Sequence, residues 1–231
     1  MFISEIEREA LLLSLQVALS AVLLMLPPAV ALAWTLARGR FPGKAVVEAV
    51  VNLPLVLPPV VIGYALLVTF GREGPLGRWL HDTLGLQFVF TFRGAVLAAA
   101  VMALPLMVRA VRQALEAVDR GLEAAARTLG ASRARVFATV TLPLMAPGLL
   151  SGAVLGFAAS LGEFGATITF VSNVPGETQT LPLAIYSALQ QPGGDAAAAR
   201  LVMWSVLLAV VALGLAQWCH RRVQHWLGQA A

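Results

Sequence analysis

Residues 113–142 read QALEAVDRGLEAAARTLGASRARVFATVTL and run directly into Pro143. Ala, Leu, Glu and Arg, all strong helix formers, dominate Leu122–Leu129, so this piece is expected to be helical. Gly130 follows at the place where a helix stops on a left-handed residue. Ala124, Ala125 and Ala126 give the helix a small-residue face that another surface can approach closely. Arg127, Arg133 and Arg135 stay solvated or pair with acids. Such a helix on a loop suggests docking to a partner protein; composition alone leaves open a helix that is merely stable.

On both sides of this stretch the chain is apolar. Of 231 residues, 59% are hydrophobic and only 12% are charged. A soluble domain carries roughly 25% charged residues, so these few charges could not cover a water-facing surface, and lipid must cover most of it. Stretches of about 17–25 apolar residues can cross roughly 30 Å of hydrocarbon as helices. Five are present, near Ala10–Ala37, Ala45–Phe70, Arg93–Val111, Met145–Val171 and Leu201–Cys219. In lipid the backbone must satisfy its own hydrogen bonds, so the fold is expected to be an all-α polytopic bundle. A single transmembrane domain over 1–231 is expected, with 113–142 as its one long inner loop and no regulatory domain after the last helix.

The flank before the first span, Ser4-Glu5-Ile6-Glu7-Arg8-Glu9, is acidic and the apolar run is long. A cleaved signal peptide has a basic flank and a short apolar run, so the span is expected to be retained. The bias of basic residues toward the cytoplasm sets the orientation. With the N-terminus outside, Arg38, Arg40, Lys44, Arg109, Arg112, Arg120, Arg127, Arg133, Arg135, Arg221 and Arg222 fall inside. Arg8, Arg72, Arg78, Arg93 and Arg200 fall outside. The majority inside gives five crossings with the N-terminus out and the C-terminus in. The net charge of +4 is therefore read as topology and not as nucleic-acid binding. Trp34, Trp79, Trp204, Trp218 and Trp226 suit the membrane interfaces.

Leu181–Gln191 (LPLAIYSALQQ) is apolar but too short to span, and is expected to be an outer-face helix or a re-entrant piece; counting it gives six helices. Pro27, Pro28, Pro54, Pro58, Pro59 and Pro105 fall inside expected spans, where each removes a backbone donor and favours a kink. The run Leu53-Pro54 to Pro58-Pro59-Val60 leaves two readings open, ordinary kinking or a bend around a pathway.

The inner loop resembles the signature of bacterial ABC-importer permeases, E-A-A-x3-G-x9-I-x-L-P. Ala124, Ala125, Ala126, Gly130, Val140, Leu142 and Pro143 stand at its positions, with Glu123 one residue ahead of the acid position and Val140 in place of Ile. The resemblance implies a type I importer permease fold, and it implies that Glu123, Ala124, Ala125, Ala126, Arg127, Gly130, Leu142 and Pro143 belong to a coupling segment seated on an ATPase subunit. ATP is not expected on this chain. A phosphate-cradling loop needs GxxxxGK[ST], and Gly39-Arg40-Phe41-Pro42-Gly43-Lys44-Ala45 lacks both the spacing and the hydroxyl. ATP and Mg2+ would be held by that separate subunit.

The end of the fourth span reads Ser160-Leu161-Gly162-Glu163-Phe164-Gly165-Ala166-Thr167. An ionisable residue inside a span costs roughly 2.5–3.5 kcal/mol or more, so a functional or paired role is the default. Glu163 is read as paired with an arginine or bonded to backbone near a gate, where it fixes a break in the helix. A bare carboxylate would repel an anionic cargo, so it is not read as a ligand. Ser160, Gly162, Phe164, Gly165 and Thr167, with Pro58 and Pro59, complete the expected pathway or gate. Arg93, at the outer start of the third span, is read as snorkelling to the interface, or as attracting an anion or a binding protein.

The run Ser160–Thr178, with NLPLVLPPVVIG at 52–63, FRGAVLAAAVM at 92–102 and PLMVRA at 105–110, is similar to the molybdate-importer permeases over nearly the whole chain. Sulfate permeases share the Gly-Glu-aromatic-Gly core and are the alternative. The resemblance implies molybdate as cargo, and tungstate as a tetrahedral dianion of similar size. It also implies a homodimer, two ATPase subunits and an external oxyanion-binding protein. Neither a catalytic residue nor a metal or cofactor site is expected. Cys219 stands alone, and His81, His220 and His225 lack ligand spacing within a span. An enzyme acting through Glu163 would need a second acid, a metal or a nucleophile–base pair. An ion-driven transporter would be expected to carry inverted repeats and several intramembrane charges.

Overall fold

The computed structural model describes residues 4–226. The side chains of Cys219, His220, Arg221, Arg222, His225 and Trp226 lie outside what is described, so the expected placement of those two arginines is not visible. Among the described residues all regular structure is helical. In chain order the helices are α1 (Glu5–Arg38), α2 (Lys44–Val56), α3 (Pro59–Phe70), α4 (Pro75–Leu84), α5 (Phe92–Ala117), α6 (Arg120–Thr128) and α7 (Arg133–Val136). A π-helical turn, Phe137–Thr141, joins α7 to α8 (Leu142–Leu161); α9 (Gly165–Val171), α10 (Leu181–Leu189) and α11 (Asp195–Trp226) follow. Four segments are long and apolar enough to cross a membrane: α1, α5, the rod Arg133–Leu161 and α11. A fifth is counted when α2 and α3 are taken as one bent span.

The centre of the bundle is α5, packed against α1 and α8. Small residues bring these helices together. Ala18, Ala21, Ala29 and Ala33 of α1 and Ala95, Ala98, Ala99 and Ala103 of α5 are completely buried. On α8, Gly148, Gly152 and Gly156 recur every fourth residue. Gly148 faces Ala114, Gly152 faces Met107 and Ala110, and Gly156 faces Met25. Lipid tails give apolar helices no incentive to associate, so membrane helices depend on close backbone approach along such small-residue ridges. This glycine ridge is legible in the sequence at GxxxGxxxG spacing, but the span reading does not use it. The outer faces keep their leucines and valines exposed, as on α11 at Val202, Val206 and Val210, where lipid takes the place of protein.

The helices overrun the expected spans. The first begins at Glu5 because Ser4 caps it: the Ser4 hydroxyl accepts from the Glu7 N–H at 3.2 Å, and the Glu7 carboxylate accepts from the Ser4 N–H at 3.0 Å. The third runs to Ala117 rather than Val111, because 113–117 are good helix formers. Residues 133–142 likewise belong to the rod that becomes α8, which leaves a shorter inner loop built around α6.

Two expected spans are broken. In the span near 45–70, at the proline run where the sequence leaves open a kink or a bend around a pathway, α2 and α3 meet at a bend of 115°. Each proline of Pro58-Pro59 pushes the residue before it toward extended backbone. Leu57 is accordingly at φ −77°, ψ 145° and Pro58 at φ −55°, ψ 136°. The same dipeptide at Pro27-Pro28 leaves α1 unbroken. There, buried Met25 and Ala29 hold the helix against its neighbours on either side of the prolines, whereas Val56, Pro58, Pro59 and Val60 are all exposed. In place of a continuous 145–171, α8 ends at Leu161 and α9 starts at Gly165.

Leu181–Leu189 is a short helix, as expected. It packs on α11 and α1, and its first N–H, from Leu181, donates to the Ser14 hydroxyl of α1 at 2.6 Å.

Candidate functional site

Two places concentrate the residues singled out in the sequence. The first is the loop between α5 and α7. Asp119 caps α6 by accepting from the Gly121 N–H at 2.7 Å. At the other end Gly130 has φ +87°. Its N–H donates to the Arg127 carbonyl and the next N–H, from Ala131, donates to the Ala126 carbonyl, at 3.0 and 3.2 Å. This pair of bonds closes a helix through a left-handed residue, a conformation glycine takes without steric cost. No residue of α6 is buried, and Leu129 beyond it is 88% exposed. Ala124, Ala125, Arg127 and Gly130 face outward, whereas Ala126 is half-buried.

Glu123 behaves differently. Its Oε1 accepts from Arg38 Nη2 of α1 at 3.1 Å and from the Thr141 hydroxyl at 2.8 Å. Arg38 also donates to the Leu115 carbonyl in the last turn of α5, at 3.3 Å. The carboxylate therefore points back into the bundle. Leu142 and Pro143 start α8 just after Thr141, at the foot of the same cluster. Close by, Arg112 of α5 donates to Glu48 of α2 and to Glu116, both at 2.8 Å, and Arg109 donates to Asn52 at 3.0 Å. These arginines, read from sequence as topology signals, fasten α2 to α5.

The second place is where the two helix breaks meet. Ile62 and Gly63 of α3 are buried, and α3 packs along α9. The Pro59 ring lies against Gly165, and Gly63 lies against the Ala166 carbonyl and Thr169. So the structure brings Pro59 and Gly63 together with Gly165, Ala166 and Thr169. Glu163, 9% exposed, sits inside the break. Its Oε1 accepts from the Ala166 N–H at 2.7 Å, in the first turn of α9. Of the two partners expected for this acid the backbone is the one observed, and no arginine pairs with it among the described residues. Ser160 and Thr167 are buried beside the break, and the Ser160 hydroxyl has no hydrogen-bond partner among the described residues. Phe164 stacks at a tilt on Tyr186 of α10, centroids 5.3 Å apart. The Glu163–Ala166 bond and the Phe164–Tyr186 contact thus tie the break to α9 and α10.

No group of three or more His, Cys, Asp or Glu side chains that could hold a metal occurs among the described residues.

The comparisons agree with this architecture. A family model described as "Binding-protein-dependent transport system inner membrane component" matches residues 29–225. The molybdenum transport system permease protein ModB of Escherichia coli K12 is 58% identical over 221 residues, covering 96% of each chain. ModB of Haemophilus influenzae is 56% identical over 223 residues, covering 96% of this chain and 97% of its own. Among solved structures, a bacterial alginate ABC transporter in complex with an alginate-pentasaccharide-bound periplasmic protein superposes with TM-score 0.75 at 20% identity. The match covers 95% of this chain and 80% of that one, and it supports the fold. With the family model spanning α5, α6 and both helix breaks, the chain belongs to the binding-protein-dependent transport system inner membrane components.

Proposed function

We propose that this chain is the membrane-spanning permease subunit of an ATP-driven importer that carries molybdate, and with it tungstate, into the cytoplasm by alternating access. The observation that carries the cargo is 58% identity to a molybdenum transport permease over 96% of the chain. The geometry supports the machine. α6 lies at the margin of the bundle, capped at both ends and without a fully buried residue, which suits a helix that seats in another protein.

In this reading the whole chain is one permease domain with 113–142 as its coupling loop. The N-terminus lies outside and the C-terminus in the cytoplasm. Two copies pair around a central pathway. Each presents α6 to an ATPase subunit that holds ATP and Mg2+, so this chain binds no cofactor and catalyses no reaction. An external binding protein delivers the oxyanion. ATP binding draws the two α6 helices together and opens the pathway outward, and hydrolysis returns it. The break at 162–164 and the bend at Pro58-Pro59 form the gate. A conduit must release what it admits, so tight recognition belongs to the binding protein.

Competition uptake tests the cargo. Proteoliposomes containing the permease, its ATPase and the binding protein take up labelled molybdate with ATP inside. Excess tungstate is expected to block uptake and excess sulfate to leave it largely intact. Block by sulfate at equal excess would move the chain to the sulfate importers.

A further inference from the structure

The acid of the coupling loop does not face outward. Glu123 and Arg38 are 19% and 14% exposed, and both turn into the bundle. One carboxylate oxygen accepts from Arg38 at the C-terminal end of α1 and from Thr141 at the foot of α8. The same guanidinium donates to the Leu115 carbonyl near the end of α5. One ion pair thus connects α6 with α1, α5 and the rod leading into α8, the three helices that pack together at the centre of the bundle. The neighbouring contact of Trp34 with Phe137, rings edge-on with centroids 5.2 Å apart, joins α1 to the π-helical turn at the same level.

The rest of α6 has few ties to the bundle. Its backbone packs mainly on α7 and the π-helical turn, and none of its residues is fully buried. A helix held so loosely could tilt on a partner without moving the spans. A half-buried, hydrogen-bonded ion pair resists separation, because pulling it apart leaves a charge that water reaches poorly. Both Arg38 bonds leave one nitrogen, Nη2, which thereby holds the Leu115 carbonyl and the Glu123 carboxylate at a single point.

We infer that Glu123 is a positioning residue: with Arg38 and Thr141 it forms the rigid joint that passes movement of α6 to α1, α5 and α8, and it does not touch the ATPase. This rests on reading α6 as the coupling helix. Glu123 stands one residue ahead of the family's acid position, and its side chain bonds within its own chain.

The test uses the complete transporter in proteoliposomes and reads ATP hydrolysed per molybdate taken up. Glu123→Ala and Arg38→Met are each expected to raise that ratio about tenfold, the scale of an ordinary coupling free energy. The double variant should be no worse than either single one, as for residues that act through one shared contact. The ATPase should still co-purify with the Glu123→Ala permease. Loss of co-purification would assign the carboxylate to the docking face and overturn the inference, and so would an unchanged ratio. A second variant guards against general damage. With Cys219→Ser in the background, Arg38→Cys/Glu123→Cys should be uncoupled, and a short bismaleimide joining the two cysteines should restore coupling. Failure of the cross-link to restore it would overturn the rigid joint. Absence of ATP-driven uptake by the unmodified chain would instead bring down the importer reading, and this inference with it.

Discussion

Gly165 of α9 lies so close to Pro59 of α3 that a β-carbon on the glycine would come within 2.7 Å of the proline ring. One helix break is thereby seated on the other. The contact continues along α3, where a β-carbon on Gly63 would come within 2.6 Å of the Ala166 carbonyl oxygen. Both glycines are needed for space, and the obstacle at Gly63 is backbone that cannot swing aside.

Gly63→Ala should therefore wedge α3 away from α9. Overpacking of this kind costs about 1–3 kcal/mol. The expected outcome is a lower unfolding temperature in detergent and a severalfold loss of uptake. Gly214→Ala is the control, because nothing lies within 4 Å of a β-carbon there. In the interior of a helix it should be neutral or stabilising by up to about 1 kcal/mol. Equal behaviour of the two variants would refute the close seating of α3 on α9.

Glu163 separates a capping role from a charge role. Its carboxylate accepts the Ala166 N–H at 2.7 Å inside the break, and a glutamine carbonyl can accept the same bond. Glu163→Gln should retain most uptake. Glu163→Ala leaves that N–H unsatisfied in a buried site, a loss of about 1–3 kcal/mol, and should lower both thermal stability and uptake. If the two variants fail alike, the negative charge itself is required and the capping account is wrong.

What could be read in advance followed from what each signal measures. Hydropathy reports the lipid-covered length of a helix, so it located α1, α5 and α11 but not their ends, which depend on caps such as Ser4 and on helix formers such as those at 113–117. Gly130 and the helix before it were legible because a helix stop is local chemistry. The break at 162–164 lay inside an apolar run and showed only as an acid between glycines. Pro27-Pro28 and Pro58-Pro59 are identical dipeptides, and only tertiary packing around Met25 and Ala29 decides which one breaks its helix. The direction of the Glu123 side chain was also out of reach, since its partner Arg38 is 85 residues away in the chain.

Arg112 and Arg109 should matter to more than topology. Arg112 bridges Glu48 and Glu116, and Arg109 holds Asn52, so α2 depends on α5 for its position. A partly exposed pair of this kind contributes up to about 1 kcal/mol and is screened by salt. Arg112→Met should lower uptake severalfold with little change in unfolding temperature. High salt in the assay should cut uptake by the unmodified protein and have little further effect on the variant. An Arg112→Met variant as salt-sensitive as its parent would remove the bridge from the explanation.

Gly130 offers two reasons for a glycine, and they predict different variants. One is conformational: φ is +87°, and the closing bonds from Gly130 to Arg127 and from Ala131 to Ala126 require it. The other is space for an ATPase surface, since nothing of this chain lies within 4 Å of a β-carbon there. Asparagine adopts the left-handed conformation readily, whereas a β-branched residue strongly resists it. Gly130→Val should abolish uptake and cargo-linked ATP hydrolysis while the protein stays in the membrane, because it unwinds the end of α6. If conformation is the reason, Gly130→Asn retains uptake and co-purifies with the ATPase. If the partner surface comes within contact of Gly130, the asparagine side chain clashes and both are lost although α6 stays capped. The closing bonds at Gly130 are made within this chain, and the neighbouring Leu129, 88% exposed, is the apolar side chain that stands outward there. The conformational outcome is therefore expected, with Gly130→Asn close to the unmodified protein and Leu129→Asp losing the ATPase.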